Sequence, residues 1–266
     1  MNITMLGTGN ASVTECYNTC FVFDDDGKYL LVDGGGGNTL LRQLKLAGVD
    51  WKSVRDIFIT HKHVDHLIGV MWMVRMICQS MSRGKYDSEA RIYGHSEVIA
   101  IIREMAEMLY SEKEIAYIDD RLYLITVEDG ETLNINGRDV TFFDIGSTKA
   151  KQFGFSMLLD DGKKLTCCGD EPYRECEEKY AMESEWLLHE AFCLYSEREE
   201  FKPYQKHHST VKDACELAEK LEVKNLVLYH TEDKNIRNRK ELYMAEGRDL
   251  FSGRLLVPDD LEKFEL

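Results

Sequence analysis

The chain has 266 residues, enough for one large domain or two small ones at ~100–200 residues per domain. Hydrophobic residues make up 44%, an ordinary globular content, and no stretch approaches the ~18 successive apolar residues of a membrane helix, which argues against a membrane-spanning class. A net charge of −15 argues against a nucleic-acid binder, which needs cationic groups for phosphate contacts.

The run Met1–Gly7 has neither the basic start nor the cleavable apolar segment of a signal peptide, so a cytoplasmic location is expected. Strands are expected at Ile3–Leu6, Cys20–Phe23, Tyr29–Val32 and Ile57–Thr60, with Asp24-Asp25-Asp26-Gly27 as a turn. Helices are expected over about Thr39–Ala47, from Leu67 to about Met81, and over Glu97–Tyr110 with Ser96 as its cap. Met71, Met73, Met76 and Met81 on the second of these read as core filler.

The second half repeats the alternation. Strands are expected near Arg121–Val127, Asp139–Ile145, Gly154–Leu159, Lys164–Cys168, Trp186–Ala191 and Asn225–Tyr229, with Asp160-Asp161-Gly162 as a hairpin turn. Thr210 and Asp213 match a capping box that opens a helix over Val211–Leu221. A long charged helix is expected from about Lys234 to Phe251, with the basic cluster Lys234–Lys240 as a solvated face. Strands and then helices, twice over, fit two sheets packed face to face with helices outside. Residues 1–266 are read as a single domain.

Chemistry concentrates in Thr60-His61-Lys62-His63-Val64-Asp65-His66, where four potential metal ligands fall within six residues. Three imidazoles and a carboxylate suit zinc, and iron or manganese less exclusively. His61 and His63 fall in the turn after a strand, while Asp65 and His66 open a helix. That junction can start a two-metal site. The eight cysteines form no Cys-x-x-Cys pair and read as buried reduced thiols, with a weaker supporting role open to Cys167 or Cys168 beside an expected ligand.

His-x-His-x-Asp-His after a short apolar strand resembles the signature of the metallo-β-lactamase fold superfamily. Leu6-Gly7-Thr8-Gly9-Asn10, Leu31-Val32-Asp33-Gly34, Cys168-Gly169-Asp170, His189-Glu190-Ala191-Phe192, His208-Ser209-Thr210 and Tyr229-His230 are similar to segments of its ribonuclease Z-like branch. The resemblance implies an α/β fold, the four-layer αββα sandwich, and a metal-dependent hydrolase. Carried over, it implies one metal held by Asp65, His66, Asp170 and His230, and another by His61, His63 and the bridging Asp170. Asp33 would support the histidine turn from behind. The second metal is one ligand short, because the family supplies a further histidine that aligns here with Gly146. Two Zn2+ sites are therefore expected, the His61/His63 site weaker, with Mn2+ or Fe2+ as alternatives.

The resemblance also implies catalytic roles. Asp65 would orient a metal-activated hydroxide, and His208 with Glu190 would form the proton-donating pair at the leaving group. Phosphodiester hydrolysis uses all of these. The alternatives are a lactonase or other ester hydrolase, and a metal-binding or ligand-sensing protein with a degenerate site. The tRNA-processing members carry a flexible arm rich in Gly, Pro and basic residues, and no such insert is visible. A small-molecule or short phosphodiester, such as a cyclic nucleotide, is therefore expected before tRNA. No membrane partner is expected, and a homodimer is an open alternative to a monomer.

Overall fold

Continuous apolar runs, rather than alternating ones, mark most of the strands, the pattern of strands covered on both faces. A computed structural model describes residues 1–266, and the chain divides into two units. The first unit comprises Met1–Gly7, Asn18–Glu128 and Leu261–Leu266. It holds β1 (Asn2–Gly7), β2 (Cys20–Asp25), β3 (Lys28–Val32), β4 (Val54–Phe58), β5 (Ala90–Gly94) and β6 (Leu122–Thr126), with β14 (Lys263–Glu265) from the other end of the chain. Its helices are α1 (Thr39–Leu46), α2 (Val64–Ser82), α3 (Ser96–Leu109) and the short α4 (Glu112–Ile115). The seven strands form one sheet in the order β14-β1-β2-β3-β4-β5-β6. Pairing is antiparallel from β14 to β3 and parallel from β3 to β6.

The second unit comprises Thr8–Tyr17 and Asp129–Asp260. It holds β7 (Thr132–Ile135), β8 (Arg138–Asp144), β9 (Phe153–Leu158), β10 (Lys164–Cys167), β11 (Trp186–Glu190), β12 (Asn225–Tyr229) and β13 (Arg254–Leu256). Its helices are α5 (Glu178–Ala181), α6 (Arg198–Phe201), α7 (Val211–Lys220) and α8 (Arg239–Gly247). The sheet order is β13-β12-β11-β10-β9-β8-β7, antiparallel from β7 to β10 and parallel from β10 to β13. The apolar face of α7 (Val211, Ala214, Cys215, Ala218) packs with Leu187, Leu226, Leu228 and Tyr243 in one core. Each sheet thus ends in parallel strands, and open α/β sheets place ligands beyond the carboxyl ends of such strands.

In the first unit, the loop after β3 and the start of α2 approach so closely that only glycine fits. Gly34 N–H donates to His66 O at 2.8 Å, and Gly69 N–H donates to Gly35 O at 2.8 Å. A Cβ on Gly69 would lie 1.8 Å from Gly34 O. This contact sets Asp33 against His66.

Several expectations need correction. The strand before the histidine turn is Val54–Phe58, so Ile59 and Thr60 already lie outside it. The helix that follows starts at Val64, three residues earlier than the apolar pattern suggested, with His63 as its N-cap. His95, not Ser96, is the N-cap of α3. Strands β5, β7, β13 and β14 were not anticipated; the last two have three residues each, too short to show a period. The long charged helix from Lys234 to Phe251 is only Arg239–Gly247. Upstream of it, Asp233 accepts hydrogen bonds from Thr14 and Glu15 N–H, and Glu232 accepts one from Asn235 N–H. Such side-chain-to-backbone bonds compete with a helix. Arg239 is not on a solvated face: it is 0% exposed and donates to Thr8 Oγ1, Thr231 Oγ1, Pro258 O and Asp259 Oδ1. Among the thiols, Cys176 is exposed and Cys16 half-buried, while the other six are buried and all eight are unbridged. No helix is long and apolar enough to cross a membrane.

Candidate metal centre

In the first unit, Asp33 organises the histidine turn. It stands just beyond β3 in a left-handed conformation (φ +58°), which a short polar side chain tolerates better than most. Its carboxylate accepts from Thr60 N–H at 2.8 Å and Thr60 Oγ1–H at 2.8 Å, and faces His66 Nδ1 at 2.7 Å. A carboxylate only accepts, so the proton of His66 sits on Nδ1 and Nε2 carries the lone pair. The same logic passes through Thr60. Its one hydroxyl proton goes to Asp33, so it accepts from His61 Nδ1–H at 2.9 Å, which leaves the His61 lone pair on Nε2. Two imidazoles are thereby fixed in the tautomer that can ligate through Nε2.

The ligating edges of this turn converge. His61 Nε2 lies 2.8 Å from His63 Nδ1, and the His61 and His66 ring centroids are 4.3 Å apart. Asp65 Oδ2 lies 3.4 Å from His66 Nε2. His61, Asp65 and His66 are buried. Lone pairs and a carboxylate oxygen gathered out of water suit a cation, and this donor set is that of a divalent-metal site.

In the second unit the donors again stand at carboxyl ends of parallel strands. Asp170 follows β10 and Glu190 ends β11. His230 follows β12 in a left-handed conformation (φ +58°). Asp170 Oδ2 lies 3.4 Å from His230 Nε2, while its Oδ1 accepts from the buried Gln152 Nε2 at 2.5 Å. Gly169 has φ +74°, and a Cβ there would lie 2.9 Å from Gln152 Nε2, so a glycine before Asp170 lets Gln152 approach. Tyr229 OH donates to Gly169 O, tying the two strand ends together.

Ligand atoms of Glu190, His208 and His230 lie within 4.8 Å of one another. His208 Nδ1 is 3.6 Å from Glu190 Oε2, an ion-pair distance too long for a hydrogen bond. The other Glu190 oxygen accepts from Ser209 N–H. His189 Nδ1 faces Glu190 O at 2.7 Å within the strand, and the exposed His207 lies 3.3 Å from Thr148 Oγ1. Gly146, in the loop after β8, is exposed with φ +70°. A Cβ there would meet Arg174 Cδ at 3.3 Å and Cys176 Sγ at 3.4 Å. Cys168 bonds with the buried Glu177 side chain. Gln152 had no place in the sequence reading, and Phe192, whose ring stacks on His208, entered it only as the last residue of the segment His189–Phe192, with no role of its own. A lone glutamine carries no pattern that would single it out, and the segment does not show which ring its phenylalanine faces.

Histidine and aspartate donors at the ends of parallel strands, in a chain similar along nearly its whole length to archaeal ribonuclease Z sequences, mark a ribonuclease Z-like member of the metallo-β-lactamase fold superfamily. Its fold is the αββα sandwich, similar over 99% of this chain and 98% of the other to the Bacillus subtilis metallo-β-lactamase fold protein YhfI (TM-score 0.80, 16% identity). The short form of human tRNase Z is similar over 100% of this chain and 99% of its own (TM-score 0.76, 21% identity). Ribonuclease Z of Pyrococcus abyssi is 24% identical over 316 aligned positions, covering 99% of this chain and 95% of that protein. The model of the family described as anti-Pycsar protein Apyc1 matches residues 1–247, and the chain belongs to that family.

Proposed function

We propose that residues 1–266 act as one metal-dependent phosphodiesterase domain in the cytoplasm, with a small or short phosphodiester as substrate. The observation that carries this reading is the tautomer lock on His61 and His66: Asp33 and Thr60 leave both Nε2 atoms as lone pairs at the mouth of one strand-to-helix turn. Asp65, His66, Asp170 and His230 would hold one metal, and His61, His63 and Asp170 the other, with zinc as the preferred ion. Such a metal pair supplies Lewis acidity and lowers the pKa of water towards ~7.

The remaining work falls to the chain itself. Asp65 accepts a proton and orients the attacking water. His208, paired with Glu190, gives a proton to the departing oxygen. His230, in a left-handed backbone just past β12, has its Nε2 3.4 Å from Asp170 Oδ2, where one ion could take both. A small substrate is favoured by the net charge of −15, which opposes a polyanion. It is also favoured by the alignment with the Pyrococcus abyssi enzyme, whose 316 positions exceed the 266 residues of this chain, so that enzyme carries segments lacking here.

The test is metal stoichiometry together with turnover of bis(p-nitrophenyl) phosphate, a cyclic mononucleotide, tRNA precursor and an aliphatic lactone. Bound zinc with turnover of the two small diesters is expected. Lactone turnover alone would move the chain to the ester hydrolases, and metal binding without any turnover would make it a sensor. In addition, His208→Ala should lower turnover of the cyclic mononucleotide by roughly 10²–10⁴-fold, because its alkoxide leaving group needs a proton. Bis(p-nitrophenyl) phosphate, whose leaving group departs unprotonated, should lose far less. Equal losses would remove His208 from the proton-donor role.

A further inference from the structure

A proton donor works only if its ring is held at a fixed angle, and in His208 no hydrogen bond within the protein reaches Nδ1. Glu190, at 3.6 Å, supplies charge but not direction. What lies flat against the imidazole is Phe192: the ring centroids are 4.8 Å apart and the planes 11° from parallel. Phe192 is itself fixed. Its N–H donates to Ser209 O at 2.9 Å, its carbonyl accepts from Glu232 N–H at 2.7 Å, and Phe201 meets its ring edge-on at 6.3 Å. The bond to Ser209 ties the backbone of Phe192 to the residue after His208, so ring and imidazole keep one register. The Lys206 ammonium lies over the same ring, 4.9 Å from its centroid. Phe192 is 7% exposed and therefore anchored in the unit rather than mobile on its surface.

We propose that Phe192 is the positioning residue of the proton donor, a flat wall that fixes the plane of His208 without taking a hydrogen bond from either ring nitrogen. The inference rests on the assignment of His208 as proton donor. An aromatic face suits this task because it constrains rotation about χ2 without consuming a ring nitrogen, which a hydrogen-bonding partner would do.

Phe192→Leu removes the plane and keeps most of the volume. In the metal-loaded protein, kcat for a cyclic mononucleotide should fall roughly tenfold with KM changed less than about twofold. The kcat for bis(p-nitrophenyl) phosphate should stay within about twofold, with metal stoichiometry unchanged. Phe192→Tyr, which keeps the flat face, should restore the cyclic mononucleotide rate. Equal losses on both substrates, or no restoration by Tyr, would show that Phe192 only fills space. Phe192→Met serves the same comparison if the leucine variant does not fold. His208→Ala is run in parallel: if it fails to separate the substrates, the proton-donor reading and this inference both fall. If it separates them and Phe192→Leu does not, only the role of Phe192 is overturned.

Discussion

Glu177 is fully buried and bonded to the Cys168 thiol, and burial pushes its carboxyl from 4.5 up to about 8. The Arg174 N–H, which donates to Oε1 at 2.8 Å, opposes the shift only in part. The folded state therefore holds this proton more tightly than the unfolded chain does. Its stabilising contribution is fully present below about pH 4.5 and is lost as pH rises towards about 8. Glu177→Gln should flatten that decline and make the protein more stable than its parent at pH 8, by on the order of a few kcal/mol. Urea midpoints at pH 5, 6, 7 and 8 measure it, and parallel pH profiles for the two proteins would contradict the argument. The same attention to single groups explains why Asp33 matters although it is not among the proposed ligands. It decides directly which nitrogen of His66 carries the lone pair, and through Thr60 which nitrogen of His61 does.

The histidine turn owes its position to the way α2 meets the loop after β3. Gly69→Ala would gain about 1 kcal/mol of helix propensity, but its methyl would strike Gly34 O. A net loss of about 2–3 kcal/mol in urea unfolding is expected, with a weaker metal affinity by calorimetry as His66 moves off Asp33. Unchanged affinity in a destabilised variant would separate the packing from the site. Helix α7 shows a different control. Thr210 Oγ1 accepts from Asp213 N–H at 3.3 Å, and Asp213 in turn accepts from Thr210 N–H and Oγ1–H at 2.9 and 2.7 Å. Thr210→Ala should cost about 1 kcal/mol and lower the melting temperature by about 2–4 °C in a circular dichroism scan. This capping box and the runs at β3, β8, β10 and β12 were readable because each is a contiguous local pattern. The expected helix from Lys234 was too long because its first turn is undone by Thr14 and Glu15, more than two hundred residues away in sequence.

For the whole protein, bound metal is a folding ligand, because the donors are gathered only in the native state. Removing it with a chelator should cost about 4 kcal/mol when metal is normally present at ~1,000 times its dissociation constant. The melting temperature should then fall by roughly 10 °C and recover on adding Zn2+. A melting curve unmoved by the chelator would count against a metal-linked fold. The charge of −15 acts in the same direction, since a divalent cation relieves part of the carboxylate repulsion that the apoprotein carries.

The sequence by itself determined the fold class, the strand-to-helix junction at residues 61–66 and most of the strands. Each of these is carried by neighbouring residues whose order survives without a structure. It also pointed to carboxylates and imidazoles at later strand ends, through short segments such as Cys168-Gly169-Asp170 and Tyr229-His230. Only the tertiary structure decided which nitrogen of His61 and His66 carries the lone pair, that Gln152 grips Asp170, that Phe192 lies flat on His208 and that Arg239 is buried. The physical reason is one of distance along the chain. A proton's location, a ring's orientation and a charge's burial are set by groups brought alongside from elsewhere in the sequence, and no local pattern records which groups those will be.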